Sequence, residues 1–186
     1  FIKIDAPIIT PNACEGTTDL FKIDYFDTEA YLSQSGQLYI ESAIFGHNRV
    51  FDFGPVFRAE KSKTRRHLTE FWMMDAEMAF IDLNENLDVQ EDLIRFIVNK
   101  ILEKNKSDLE ILERDIKPLE NITKPFYRMT HAEAIKILQD MGSKITEQDD
   151  LGGEDETKLS EKYDNPIFIT HYPSEIKSFY MKRDAE

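Results

Sequence analysis

The densest group of chemically capable side chains runs from residue 57 to residue 71. It reads Phe57-Arg58-Ala59-Glu60, then Lys61-Ser62-Lys63-Thr64-Arg65-Arg66-His67, then Leu68-Thr69-Glu70-Phe71. Arg58 and Glu60 stand two apart at the end of an extended run, so both project from one face of a sheet. The loop that follows puts four basic residues into six positions (61–66). A planar guanidinium on a rigid strand suits bidentate binding of a phosphate. Loop cations and His67 could neutralise the outer phosphates of a nucleotide, and Phe71 could stack on a base. A solvated hairpin loop with an Arg58–Glu60 pair on its flank accounts for the same residues, because charged loops are common. Farther along, Asp75 and Glu77 share a strand face, either as a substrate or Mg²⁺ pair or as structural hydrogen-bonding groups.

These residues need a sheet to hold them. Arg49 to Glu60 is rich in Val and Phe, and Phe71 to Ile81 in Phe, Met and Ile, which predicts two strands joined by the charged loop. Ahead of them, Phe21, Ile23 and Tyr25 alternate with polar residues as in a half-buried strand. A second strand is expected over 30–35, and Gln37 to Phe45 reads as a short helix. Beyond Asn84 the period changes. Ile94, Ile97, Val98, Ile101 and Leu102 make one apolar stripe on a long helix that Asn84 or Asn86 could cap. Thr130 and Glu133 have capping-box spacing ahead of a second helix that Gly142 is placed to end. Residues 147–156 read as an exposed acidic loop leading into a short helix. Strands are expected at 167–171 and, after a turn at 172–175, at 176–182. Hairpins with interposed helices predict an α+β fold with a mainly antiparallel β-sheet flanked by helices.

Composition narrows the function classes. The chain has 186 residues, with 36 acidic against 23 basic side chains and a net charge of −13. A whole surface built to grip nucleic acid is excluded by that balance, though a local basic site on an acidic body is not. The single cysteine, Cys14, excludes an intramolecular disulfide and a Cys-rich zinc site and suits a reducing compartment, hence a cytoplasmic location. No apolar run approaches the length of a membrane span. Cys14 reads as an incidental thiol, and Trp72 to Met78 as core or dimer packing. His47 and His131 read as helix-terminus residues. Lys177 and Tyr180 are expected on a strand lining the pocket.

Phe-Arg-Ala-Glu, a basic loop and Arg-His-Leu-Thr-Glu-Phe together resemble motif 2 of the class II aminoacyl-tRNA synthetases, in their aspartyl/asparaginyl/lysyl subgroup. Other segments agree in collinear order. Phe1-x-x-Ile4-x-x-Pro7-Ile8-Ile9 resembles the second half of motif 1, and Glu15-Gly16-Thr17-Thr18-Asp19-Leu20-Phe21 the loop that closes over the amino acid. Gln34-Ser35-Gly36-Gln37-Leu38-Tyr39 resembles the subgroup's QSPQL segment with Gly in place of Pro. Residues 166–182 look like the asparaginyl members in particular.

The resemblance implies ATP as substrate, with Mg²⁺, and an in-line attack of an amino-acid carboxylate on the α-phosphorus. Such a reaction needs positioning and charge neutralisation rather than a protein nucleophile. By resemblance Arg58 is the catalytic residue, holding the α-phosphate and the attacking carboxylate. Glu60, Arg66, His67 and Phe71 join it around ATP, with Glu60 at the adenine side or at the tRNA end, His67 at the γ-phosphate and Phe71 under adenine. Glu15 and Gln37 would bind the α-ammonium group. Asp75 would accept from a side-chain NH2, and Glu77 is grouped with it. Aspartyl members carry a Lys where this chain has Ile40. Losing that cation favours a neutral carboxamide over a carboxylate, so asparagine and tRNA(Asn) are the expected partners, in a homodimer with no membrane association.

Residues 1–186 are expected to be part of a catalytic domain: the end of motif 1, motif 2 and an asparaginyl-type insertion. Motif 3, the Mg²⁺ ligands and an anticodon-binding domain are expected outside them. An aspartyl-type or asparagine-forming relative, or a truncated non-catalytic binding module, are the alternatives.

Overall fold

A computed structural model describes residues 1–14, 20–61, 67–122, 125–178 and 180–184. The chain divides into two units, Phe1–Asp82 and Leu83–Glu186.

The first unit is built on two three-stranded sheets. One has the order β1 (Ile2–Lys3), β5 (Arg49–Phe57), β6 (Glu70–Met78), and the other β2 (Ile9–Thr10), β4 (Thr28–Leu32), β3 (Lys22–Tyr25). The long β5–β6 pair is antiparallel, with Arg49 opposite Met78 and Phe57 opposite Glu70. β1 adds to it in parallel. Opposed residues in a ladder point to one side, so Val50, Asp52, Gly54 and Val56 share a face with Phe71, Met73, Asp75 and Glu77. Val50, Asp52 and Val56 are buried on that face. Phe53, Trp72 and Met74, on the other face, are exposed, so of the two readings of 72–78, core or dimer packing, the first does not hold for this face.

Pro55 sits inside β5 without breaking the pairing to β6. Phe51 accepts from Ile4 N–H and Phe57 donates to Ser33 C=O, so residues of this parity turn their backbone groups away from β6. The donor that Pro55 lacks therefore belongs to the other edge, where β1 pairs only Val50 and Phe51. Helix α1 (Gln37–Ala43) packs on both strands through the fully buried Ile40. His47 N–H returns to Ala43 C=O just past this helix, as a terminus residue should.

The second unit carries α2 (Leu83–Lys104), α3 (Lys106–Ile111), α4 (Lys117–Asn121), α5 (His131–Asp140) and α6 (Gly153–Glu161). β7 (Tyr127–Thr130) pairs in parallel with β8 (Ile167–Thr170). Its core gathers Ala134, Ile135 and Leu138 of α5 with Ile145 and Leu159. The ends of α5 are set locally. Thr130 and Glu133 close a reciprocal capping box. At the other end Ser143 N–H bonds Leu138 C=O and Gly142 N–H bonds Gln139 C=O, with Gly142 at φ +88°, the paired bonds of a Schellman terminus.

Three local expectations change. α2 starts at Leu83, so Asn84 and Asn86 lie inside the helix and cap nothing. Of its apolar stripe, Ile94, Ile97 and Ile101 are exposed. Residues 176–182 form no strand among the described residues: a 3₁₀ turn, Ser174–Ile176, follows β8 instead. The fold is thus α+β with its longest ladder antiparallel, as expected, but β1 and the β7–β8 pair are parallel.

Candidate functional site

The common face of β5 and β6 carries opposite charge at its two ends. Arg58 N–H bonds Thr69 C=O at 2.9 Å, which extends the ladder one step past β5 and keeps Arg58 in register. Its guanidinium lies 5.6 Å from the Phe71 ring centroid, a cation–π contact that fixes both side chains at the head of the face. Both are half-buried, as is Glu60, and His67 is exposed. Glu15 and Arg66 lie outside the described residues.

Four residues along β6, Asp75 stands directly opposite Asp52. Asp75 Oδ2 accepts from Ser35 Oγ at 2.8 Å and from Gly36 N–H at 3.1 Å, and Ser35 Oγ in turn accepts from Gln37 N–H at 3.0 Å. The first turn of α1 is therefore capped by a carboxylate from a neighbouring strand rather than by its own N-cap residue, Gly36. Gly36 also has no room for a side chain: a Cβ there would run into the Asp52 carboxylate and sit 3.1 Å from Ala6 Cβ.

Next to this cap the amide of Gln37 is held at both ends. Nε2 donates to Glu41 Oε1 at 3.0 Å, and Oε1 accepts from Cys14 Sγ at 3.7 Å. Glu77, two residues past Asp75, has its pKa pushed above 4.5 first by burial and then by the charges of Glu41 and Asp75. Asp52, Asp75, Glu77 and Glu41 make this end of the face electronegative. Ile40, at the position where aspartyl members carry a cation, is wholly enclosed (0% exposed).

A strand rises roughly 3.3–3.4 Å per residue, so Phe71 and Glu77 lie roughly 20 Å apart along the face. That length accommodates a nucleotide joined to an amino acid. A guanidinium and an aromatic ring at one end suit phosphate and base, and clustered carboxylates at the other suit an ammonium group.

The structure thus brings Arg58, Phe71, Asp75 and Glu77 onto one face and sets Gln37 beside its acidic end. Ser35 and Glu41 went unsingled in the sequence, although Glu41 stands four residues after Gln37 on a helix, the spacing of facing side chains. Asp52 also carried a signal, as an acid in the buried phase of a Val-rich strand.

Within the second unit, Lys177 Nζ bonds both carboxylate oxygens of Asp150 at 3.0 and 2.8 Å and lies 4.0 Å from the Tyr172 ring centroid. Tyr172 also packs on His131, whose rings are 4.7 Å apart, and His131 bonds Asp149 C=O. A cavity of about 330 Å³ lies beside them, lined by Leu159, Asn165, Ile167, Ile169 and Tyr172 among others. His171, at φ +55°, bonds the Thr170 hydroxyl. Lys177 and Tyr180 therefore sit after a 3₁₀ turn, not on the strand expected for them.

Comparison with known proteins matches residues 1–186 to the tRNA synthetases class II (D, K and N). An asparagine–tRNA ligase of Desulforamulus reducens is 53% identical over the whole chain, which spans 43% of that relative, and one of Pelotomaculum thermopropionicum has the same identity and coverage. The chain thus spans less than half the length of the curated relatives it matches. Asparaginyl-tRNA synthetase from Pyrococcus horikoshii complexed with asparaginyl-adenylate superposes with a TM-score of 0.95 at 47% identity, over 99% of this chain and 42% of that one. An aspartyl-tRNA synthetase from Entamoeba histolytica gives 0.74 at 38% identity, over 83% and 33%.

Proposed function

Because this chain belongs to the class II tRNA synthetases of the D, K and N type, we propose that the whole protein is an asparagine–tRNA ligase whose 1–82 unit carries the activation face. It joins asparagine to AMP at the expense of ATP and passes the asparaginyl group to tRNA(Asn). The observation that carries this reading is the charge polarity of one sheet face, from Arg58 and Phe71 to Asp75 and Glu77.

The roles follow the polarity. Arg58 holds the α-phosphate and the carboxylate that attacks it, neutralising charge where the pentacoordinate phosphorus gathers it. Phe71 packs under adenine, with Glu60, Arg66 and His67 around the rest of the nucleotide. The ammonium group of the amino acid is received by Glu15 and Gln37, and Asp75 and Glu77 supply acceptors at the acidic end for the carboxamide NH2. A carboxylate substrate placed against Glu41, Asp75 and Glu77 would be repelled, which favours asparagine over aspartate. The higher structural similarity to the asparaginyl protein (0.95) than to the aspartyl one (0.74) supports the same choice.

Mg²⁺ would enter as the counter-ion of the ATP phosphates. We place the reaction in the cytoplasm and the protein in a homodimer. No helix among the described residues is long and apolar enough to cross a membrane. Amino-acid-dependent ATP–pyrophosphate exchange by the whole protein tests the reading: asparagine should support it and aspartate should not. Exchange driven equally by aspartate would overturn it.

A further inference from the structure

The Cys14 contact with Gln37 is more than an incidental neighbour. Residues 10–14 are laid along α1 by two side-chain contacts: Thr10 Oγ1 with Tyr39 Oη at 2.6 Å, and Cys14 Sγ with Gln37 Oε1 at 3.7 Å. Thr10 is buried and also accepts from Asn12 N–H, so the segment approaches the helix in a set path. An amide has a donor end and an acceptor end that are nearly the same size, and its orientation is decided by what each end meets. Here Glu41 takes the NH2 end and can only accept, while the thiol meets the oxygen end and can donate. Turning the amide over would set its oxygen against a carboxylate and leave the thiol facing an NH2. Glu41 and Cys14 therefore select the same orientation.

We propose that Cys14 is a positioning residue for the Gln37 amide, and through it for the ammonium group of the bound amino acid. The inference rests on the reading that Gln37 binds this group. With the thiol on one lone pair of Oε1, the second lone pair is aimed for a substrate N–H. Without the thiol, the amide keeps only the Glu41 anchor and spends part of its time misdirected. Cys14 touches neither substrate by this account, so its loss should raise the requirement for amino acid and leave that for ATP alone.

Two measurements on the whole protein test this. The S–H stretching band of Cys14, assigned by its disappearance in Cys14→Ser, should move to higher frequency in Gln37→Leu, where the acceptor is gone. This arm reads the bond whatever amino acid the protein uses. In pyrophosphate exchange, Cys14→Ala should raise KM for asparagine about 2- to 5-fold, the scale of one weak neutral hydrogen bond. KM for ATP should be unchanged, and Cys14→Ser should restore part of the loss, since a hydroxyl still donates. An unmoved S–H band, an unchanged KM for asparagine, or equal rises in both KM values would overturn the proposal. A moved band in a protein whose exchange ignores asparagine would instead overturn the functional reading and, with it, the role of the bond in binding.

Discussion

Phe71 and Asp75 project from the same face of β6, four residues apart, with Arg58 packed on the first and the start of α1 hydrogen-bonded to the second. One strand thereby spaces the end that carries a guanidinium from the end that carries clustered carboxylates by roughly 13 Å. Register does this more rigidly than any loop could, because a slip of one residue would turn both side chains to the opposite face.

Arg58→Ala in the whole protein should lower the rate of adenylate formation by roughly two to three orders of magnitude, the effect expected when a preorganised donor to developing charge is removed. Arg58→Lys should recover little, since an ammonium can neither bond bidentately nor lie flat against Phe71 as a guanidinium does. Single-turnover formation of adenylate reads the step directly.

Ser35→Ala removes the hydroxyl that links Asp75 Oδ2 to Gln37 N–H. Two bonds at the start of α1 are lost together, and stability should fall by about 1–3 kcal/mol. The urea midpoint of the purified chain measures it. A change within error would mean that Gly36 N–H alone suffices to hold Asp75.

Glu77 gives stability a pH dependence of definite sign. Its pKa in the folded chain is raised above 4.5, so the fold binds this proton more tightly than the unfolded chain does. Folding is therefore opposed by Glu77 above the raised value, and the penalty fades as pH falls through it toward 4.5. Glu77→Gln should raise the urea midpoint of the unliganded chain at neutral pH and lose that advantage in acid. A Gln variant less stable than wild type at neutral pH would contradict the assignment.

The capping box of α5 offers a test away from the site. Thr130→Ala leaves Glu133 N–H without its side-chain acceptor and should cost about 1 kcal/mol, within the range for loss of such caps. At the other end Gly142, at φ +88°, should accept Ala only at a comparable cost. Thermal unfolding of the two variants measures both.

What could be read from the sequence was set locally. Thr130, Glu133 and Gly142 marked both ends of α5 because capping chemistry is decided within one turn. The Val, Phe, Met and Ile content on either side of the charged loop marked β5 and β6, and two-residue spacing put Arg58 with Glu60 and Asp75 with Glu77 on shared faces. Tyr127 to Thr130 hid as a strand because its four residues show no clear alternation and pair with β8, some 40 positions away. Residues 176–182 have a strand's apolar content and follow a turn, yet no strand among the described residues pairs with them. Cys14, Ser35 and Glu41 stayed unrecognised for other reasons. Cys14 meets Gln37 only once residues 10–14 run beside α1, and Ser35 meets Asp75 only once the start of α1 reaches β6, whereas Glu41 meets Gln37 within one helical turn, a signal the spacing already carried.

The most direct test of the account is calorimetric titration of the whole protein with two non-hydrolysable adenylate analogues, one asparaginyl and one aspartyl. The polarised face predicts that the asparaginyl analogue binds at least about tenfold tighter, a difference of about 1.4 kcal/mol. It also predicts that Arg58→Ala weakens binding of both analogues. Equal affinity for the two, or undiminished binding by the Arg58 variant, would contradict it.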